Sequence, residues 1–531
     1  MKEGFRQSMA WLHTWTGLVV AWLLYFMFVT GAAGYFFDEV NRWMQPELPM
    51  RGEQLQKPVE RAKLLSVAVQ HLEKAAPEAD SWRISLPGPH HLNLGLVWVN
   101  PAVAGSRVKS RGSLQLDPHT LEEVETPKPR RTLGAWFYRM HYFHYTPIPR
   151  SWAIWVVGVC TALMWIAIIS GVITHKKIFS DFFTFRPRKS QRSWLDAHNL
   201  VSVMALPFFL MITYTGFVFY LFDYMPSGRW AVYEGNHKQA MQQEVGAVNT
   251  RSGRSEGALS ISDIFQKADA IWGDDQVVEA IVYFPGDAAS SVVLERSFAT
   301  TVDRGAGDIL RFRALTGEQI STVEDPGWKA KTFLEALHEG RFAGWSLRWL
   351  YFLSSLLGCA MIATGLILWT VKRRVKQEKR LKAGQSVDLG FRLVEALNIG
   401  TIAGLCTAVA AYFWANRLIP VDWDNRRDWE INAIFLTWGA LLIFAALRLK
   451  FVQSLRVWQE QLWLAAAAFG LIPLLNALTT DRHLGISLSA RDWGLAGFDL
   501  TVFAIGVFFA AAAFKVQCKE NIISKSRHSS C

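Results

Sequence analysis

Runs of about 20 apolar residues, the length that crosses a hydrocarbon core, recur along this chain and are separated by two long polar stretches. They predict eight membrane spans, at 10–36, 152–174, 199–222, 347–370, 394–414, 431–449, 460–478 and 496–514. The first is too long for a signal-peptide core and is rich in Trp, so it reads as a retained anchor. The polar stretches, 37–150 and 223–346, change period. Each has a helix-like segment (Ala62–Lys74, Ile261–Ala270) and then a run with strand character (Leu94–Val99, Val277–Phe284). Each closes on a turn-forming segment, Leu116–Leu121 and Ala314–Ile320. The expected fold class is an α-helical polytopic membrane protein with two small α+β inserts.

Charge gives this pattern an orientation. Short cytoplasmic loops carry excess Lys and Arg. The loop 176–195 holds Lys176, Lys177, Arg186, Arg188, Lys189 and Arg192 against Asp181, and 371–393 holds eight basic residues against Glu378 and Asp388. The loop 416–430 is instead net acidic. Both termini are therefore expected in the cytoplasm and both inserts outside. The expected division is a first span (1–36), an insert (37–150), spans two and three with their basic loop (151–222) and a second insert (223–346). Span four (347–371), a basic loop (372–393), a four-span extension (394–514) and a cytoplasmic tail (515–531) follow. Lys and Arg total 56 against 45 Asp and Glu, a net charge of +11. That excess records topology and gives no reason to expect nucleic acid as a partner. With 13% aromatic residues, 24 Trp and five Cys outside the polar stretches, the chain is neither disordered nor a disulfide scaffold.

Histidines carry the chemistry. His13 precedes Thr30-Gly31 and His198 precedes Thr215-Gly216, with 18 residues from His to Gly in both; His144 precedes Ser170-Gly171 and His338 precedes Thr364-Gly365, with 27 in both. A span–insert–span unit thus occurs twice, over about 1–180 and 190–375. Because each copy crosses twice, the copies share an orientation. His13 and His198 then fall at one depth, His144 and His338 at another. Six of the 13 histidines (His13, His141, His144, His175, His198, His338) lie at the ends of spans one to four, and none lies in the last four spans. Neutral imidazole ligates zinc, copper and haem iron. No HExxH motif is completed, and no Cys or Met clusters with these residues. Facing imidazoles in an aromatic bundle fit bis-His haem best. Gly17, one turn after His13, would leave room for a flat macrocycle. The 18-residue offset spans about 27 Å at 1.5 Å per residue, so two haems would form a conduit across the bilayer.

Four segments carry a family resemblance: Arg139-Met-His-Tyr-Phe-His144, Ser170-Gly-Val-Ile-Thr-His-Lys-Lys-Ile-Phe-Ser-Asp-Phe-Phe-Thr-Phe-Arg-Pro187, Gln191-Arg-Ser-Trp-Leu-Asp-Ala-His-Asn199 and Leu337-His-Glu-Gly-Arg-Phe342. Over about 1–375 the chain resembles the PepSY-associated transmembrane helix family. The inserts, with Asp117-Pro-His-Thr and Leu315-Thr-Gly-Glu, look like its PepSY domains. The resemblance implies a bacterial inner-membrane protein, iron-regulated, with a four-helix core from a tandem repeat holding two b-type haems and reducing ferric siderophores on the periplasmic side. It places the outer haem on His144 and His338, with His141 as rival to His144, and the inner haem on His13 and His198. His175 is a further rival, although Trp369 occupies its place in the second copy.

Arg150, Trp152, Arg341 and Trp345 are expected substrate contacts near the outer haem edge, for a ferric siderophore or other ferric chelate. No GxGxxG follows a strand, so no nicotinamide or flavin domain is expected. The electron donor would be a membrane quinol or a cytoplasmic reductase. The competing reading is a non-redox module whose inserts bind or inhibit an envelope peptidase or sense a ligand. A transporter would show discontinuous helices, and none is expected in spans one to four.

Overall fold

The computed structural model describes residues 3–47, 50, 59–88, 93–102, 109–124, 133–175, 182, 186–187, 191–227, 230–231, 234, 251–255, 261–296, 302, 309–320, 326–340 and 342–528. Arg341 and most of the basic loop 176–190 lie outside them. The chain divides into two compact units, one of Met1–Glu53, Lys128–Phe217 and Trp345–Cys531, the other of Gln54–Pro127 and Val218–Gly344.

In chain order the elements are α1 (Glu3–Gly34), α2 (Phe37–Trp43), α3 (Arg61–Ala75), β1 (Ser81–Ser85), β2 (Leu94–Val99), β3 (Arg111–Leu116), α4 (Ala135–Met140), α5 (Arg150–Thr174), α6 (Gln191–Met204), α7 (Leu206–Val218) and α8 (Leu221–Tyr224). Then come α9 (Ile261–Trp272), β4 (Val277–Tyr283), β5 (Ser291–Arg296), β6 (Ile309–Arg313), α10 (Pro326–Glu339), α11 (Trp345–Lys382), α12 (Leu389–Ile402) and α13 (Gly404–Leu418). The chain ends with α14 (Arg426–Arg448), α15 (Ser454–Gly470), α16 (Ile472–Thr479), α17 (Leu484–Ser489) and α18 (Trp493–His528).

Seven helices or near-continuous helix pairs are long and apolar enough to cross a membrane. The third expected span supplies an eighth only as a bent pair: α6 and α7 meet at 65°. Pro207, the second residue of α7, explains the bend, because it has no N–H to donate and its ring crowds the carbonyl one turn back. A discontinuous helix therefore does occur among the first four spans, contrary to the reading from hydropathy. Apolar side chains stay exposed along single stripes, such as Trp152, Trp155, Val159 and Ile166 on α5 and Phe503, Val507, Phe508 and Phe514 on α18. Such stripes suit lipid contact, and the protein is a polytopic helical membrane protein.

In the helical unit α1 is central. It packs on α5, α11, α4 and α12, burying Val20, Ala21, Leu24, Phe26 and Met27. The last four spans share this core. Asn398 on α12 accepts from Trp22 Nε1 at 3.0 Å and donates to the Leu366 carbonyl at 3.2 Å, so one side chain bonds to both α1 and α11. Arg42 of α2 pairs with Asp492, and Trp43 donates to Asp499 on α18. The extension is thus built into the same body as spans one, two and four.

In the other unit the two polar stretches make one domain. Their strands join in a single antiparallel sheet of order β3-β2-β1-β4-β5-β6, with Trp82 opposite Val282 and Ile84 opposite Ala280 across the seam. Each stretch alone would leave the ladder of β1 or β4 unpaired along one edge, and pairing the two edges satisfies both. Alternate residues (Ile84, Leu94, Leu96, Ala280, Val282, Val292, Leu294) bury one face under Leu65, Ala68 and Leu72 of α3 and Ile264, Phe265 and Ala268 of α9. The expected turns close onto the edge strands through the bridges Leu116–Glu123 and Phe312–Gln319. Asp117 accepts from the backbone N–H of His119 and Thr120, and Gly317 adopts the left-handed conformation.

Candidate functional site

Each Ser/Thr-Gly pair begins a local arrangement that the sequence shows only in part. The hydroxyl donates back along its own helix to two carbonyls: Thr30 to Phe26 and Met27, Ser170 to Ile166 and Ala167, Thr215 to Met211 and Ile212, Thr364 to Ala360 and Met361. Three of these carbonyls also accept an imidazole from another element. His141 Nδ1 bonds to Met27 O at 2.7 Å, His13 Nδ1 to Ala167 O at 2.8 Å and His198 Nδ1 to Met361 O at 2.9 Å. In every case the accepting residue stands four before the glycine.

The glycine makes room for the ring. A Cβ on Gly31 would lie 2.9 Å from His141 Nδ1, one on Gly171 3.0 Å from His13 Cε1, and one on Gly365 3.2 Å from His198 Cε1. A carbonyl can only accept, so each Nδ1 carries the proton and each Nε2 keeps its lone pair. That is the tautomer a metal-ligating histidine presents, held by the kind of outer bond that orients such ligands.

His13 on α1 and His198 on α6 come together, with ring centroids 6.2 Å apart and planes inclined at 60°. Two imidazoles on opposite sides of one metal ion, each at about 2 Å, have centroids about 6 Å apart. The pair therefore has the donor type, tautomer and spacing of a two-imidazole centre. Among the described residues no group of three or more His, Cys, Asp or Glu is placed to hold a metal ion. Beside Gly17, one turn along from His13, a Cβ would meet nothing within 4 Å, so the glycine touching His13 is Gly171. The Ser202 hydroxyl, one turn along from His198, is enclosed without a partner among the described residues.

The other expected residues are placed differently. The 27-residue spacing favours His144, but the carbonyl-and-glycine arrangement belongs to His141. The two lie three positions apart in the turn between α4 and α5, and a spacing count cannot see which of them meets a carbonyl. His144 sits beside Tyr142 and Tyr145, at 5.9 and 5.1 Å between centroids, with Nδ1 enclosed and without a partner among the described residues. Burial first, then Arg139, Arg150 and Arg427, pull its pKa below the ordinary imidazole value. His175 ends α5, and its Nε2 accepts from Asn199 at 2.8 Å, which occupies the lone pair a metal would need. His338 belongs to the sheet-bearing unit, in the last turn of α10, with its ring edge-on to Phe219 at 5.3 Å. Arg150 and Trp152 are exposed in the first turn of α5. Trp345 packs on Phe36 and the Arg348 guanidinium, which forks onto Glu39. Neither the backbone acceptors nor the Asn199 contact had a signal in the sequence. The Ser/Thr-Gly pairs did, as the landmarks of the repeat.

The model of the PepSY-associated TM region matches residues 10–372. An uncharacterized protein of Pseudomonas aeruginosa is 23% identical over 335 residues, 58% of this chain and 78% of that relative.

Proposed function

Because the chain belongs to the family of the PepSY-associated TM region, its matched spans and inserts being one family module, we propose that it is an inner-membrane electron-transfer protein that reduces ferric chelates, in particular ferric siderophores, on the periplasmic side. The observation that carries this reading is the His13–His198 pair, with centroids 6.2 Å apart and both Nδ1 atoms fixed on carbonyls. These two residues would hold one b-type haem. A second would take His141, by its likeness to His13 and His198. When bound, a bis-imidazole haem supplies one-electron transfer. The chain's own part is to fix the imidazoles through Ala167 O, Met27 O and Met361 O, to keep the rings seated against glycine, and to surround them with apolar side chains that exclude water.

Reduction of Fe(III) to Fe(II) weakens its binding by hard oxygen ligands, which suits release from a chelate. The basic loops support cytoplasmic termini, with the sheet formed by two PepSY-like inserts from a tandem repeat outside. A quinol or a cytoplasmic reductase would supply the electrons. The test is the haem content and reduced absorption bands of the purified chain. Two haems per chain are expected, falling to one in His13→Ala and His198→Ala. Absence of b-type bands after haem-replete expression overturns the reading.

A further inference from the structure

At one end of the helical unit, two cations and an N–H donor lack an acceptor. Other arginines of this unit that are buried or half-buried meet a carboxylate: Arg42 with Asp492, Arg348 with Glu39, Arg374 with Glu395 and Arg426 with Glu430. Arg6 and Arg373 are half-buried too, yet neither has a carboxylate partner among the described residues. Arg6 Nη2 donates to Thr174 O at 2.6 Å, and its Nε is enclosed without a partner among those residues. The Arg373 guanidinium lies over the Trp369 ring, 3.9 Å from its centroid. Trp369 Nε1 is likewise enclosed and unpartnered among the described residues. An indole N–H can only donate, and an enclosed donor left unpaired is costly.

Helix geometry sets these groups beside the His13–His198 pair. Thr174, which holds Arg6, is three residues past Gly171, the glycine against His13. Trp369 is four residues past Gly365, the glycine against His198, and Arg373 is one turn further. Residues three or four apart share a helix face and lie about 5–6 Å apart. Both helices run opposite to α1, since Arg6 and His13 meet α5 at Thr174 and Ala167, while Tyr35 and Phe28 meet α11 at Tyr351 and Gly358. Past their glycines, α5 and α11 therefore lead to the same end. There His175, four past Gly171, is satisfied by Asn199, whereas Trp369, four past Gly365, is not. A ligand that completes this end must bring negative acceptors along one edge of whatever the two imidazoles hold. Haem b has that form, with two propionate arms on one edge, and a guanidinium fork suits a carboxylate.

We propose that Trp369, Arg373 and Arg6 bind the propionate groups of the haem assigned to His13 and His198, so that the carboxylate edge of the macrocycle turns toward this end of the bundle. The inference rests on the haem reading above and adds to it the residues that fix the orientation of the ring. Two imidazoles alone accept a haem in any rotation about the axis joining them; donors on one side select one.

The test uses the full chain with His141→Ala, which leaves the His13–His198 pair to be loaded, purified without haem in non-ionic detergent. Absorption follows titration with haemin and with haemin dimethyl ester, whose arms carry no charge. Haemin should bind more tightly than the ester by about tenfold or more, through charge-assisted hydrogen bonds. Trp369→Phe, which keeps a ring under Arg373, and Arg373→Gln should each weaken haemin by about fivefold and leave the ester within about twofold. Adding Arg6→Gln to both should abolish the discrimination, and Arg373→Lys, which keeps the charge, should recover most of the affinity lost in Arg373→Gln. The ester serves as the control for folding, because a damaged bundle loses both ligands together. Equal affinity for haemin and ester before substitution, or equal weakening of both by the variants, overturns the site and leaves the two imidazoles as ligands. If neither haemin nor its ester gives b-type bands, the haem reading itself fails and the site falls with it.

Discussion

At Gly171 the distance between a glycine and an imidazole decides what a single methyl group does. A Cβ there would stand 3.0 Å from His13 Cε1 and 3.1 Å from Nδ1, so Gly171→Ala must push the ring by a few tenths of an ångström, and Gly171→Val further. The ring is also tied to Ala167 O, so moving it strains that bond. Gly171→Val is expected to lose the haem held by His13 and His198, whereas Gly17→Ala, with nothing within 4 Å, should keep it. Haem per chain and the reduced spectrum check both. The equal offsets made His13 and His198 legible in the sequence. The same offsets favour His144 over His141, and a residue count cannot see the backbone carbonyl that His141 meets. A second residue sets a pH dependence in the sheet-bearing unit. Burial raises the pKa of Asp287, but hydrogen bonds from the Ala289 N–H, the Ser252 hydroxyl and N–H, and the Gly253 N–H outweigh it and leave the carboxyl well below its usual value. A depressed carboxylate stabilises the fold above its unfolded pKa, about 3.9, and loses that contribution as pH falls towards the folded value. Melting followed by circular dichroism should fall between pH 5 and about pH 3. Asp287→Asn should flatten that dependence and melt a few degrees lower at pH 7. An unchanged slope would remove Asp287 as its source.

The helices of the extension pack through small residues, and two glycines show how unequal such positions are. A Cβ on Gly506 of α18 would lie 2.6 Å from the backbone N and 2.7 Å from Cα of Gly470, at the end of α15, so the two backbones touch. Backbone cannot give way as a flexible side chain can. Gly506→Ala is expected to cost about 1–3 kcal/mol as an overpacking change. Gly439→Ala on α14, where nothing lies within 4 Å, should cost nothing and gain slightly in helix propensity. Detergent-solubilised melting of the two variants, side by side, tests this contrast; equal midpoints would contradict the close crossing. At this scale the apolar runs located the seven long apolar helices, and the third expected run fell on the bent pair, because length and hydropathy alone define a candidate span. The bend between α6 and α7 was overlooked although Pro207 was in plain view. A window average counts the apolar residues around a proline and ignores the hydrogen bond it removes. The bonds from Asn398 to spans one and four, and from Asp492 and Asp499 to α2, were illegible for another reason: pairings between residues far apart in the chain leave no local pattern.

For the molecule as a whole, the main departure from the sequence reading is that the two polar stretches share one sheet. Alternation named the strands Leu94–Val99 and Val277–Phe284, but it says which face a residue occupies, and nothing of which strand lies alongside. The seam settles that, and its register can be tested covalently. Leu86 N–H bonds to Val278 O and Phe284 N–H to Asp80 O, which makes Leu86–Val278 and Asp80–Phe284 hydrogen-bonded pairs. Ser85 and Glu279 are opposite one another and fall between these bonds, so they form a non-hydrogen-bonded pair, the closer kind, with Cα atoms about 4.5 Å apart. That separation is within reach of a disulfide. In the Ser85→Cys, Glu279→Cys double variant, mild oxidation should close a bond between the two stretches and remove both introduced thiols from alkylation, whereas each single variant retains its one. Because the bridge closes a long loop in the unfolded chain, the oxidised variant should gain about 2–4 kcal/mol. A control pair shifted by one residue, Ser85→Cys with Ala280→Cys, puts the thiols on opposite faces and should stay reduced. If that control closes and the matched pair does not, the register is wrong. If neither closes, the inserts are two separate domains after all, as their sequences taken singly suggest.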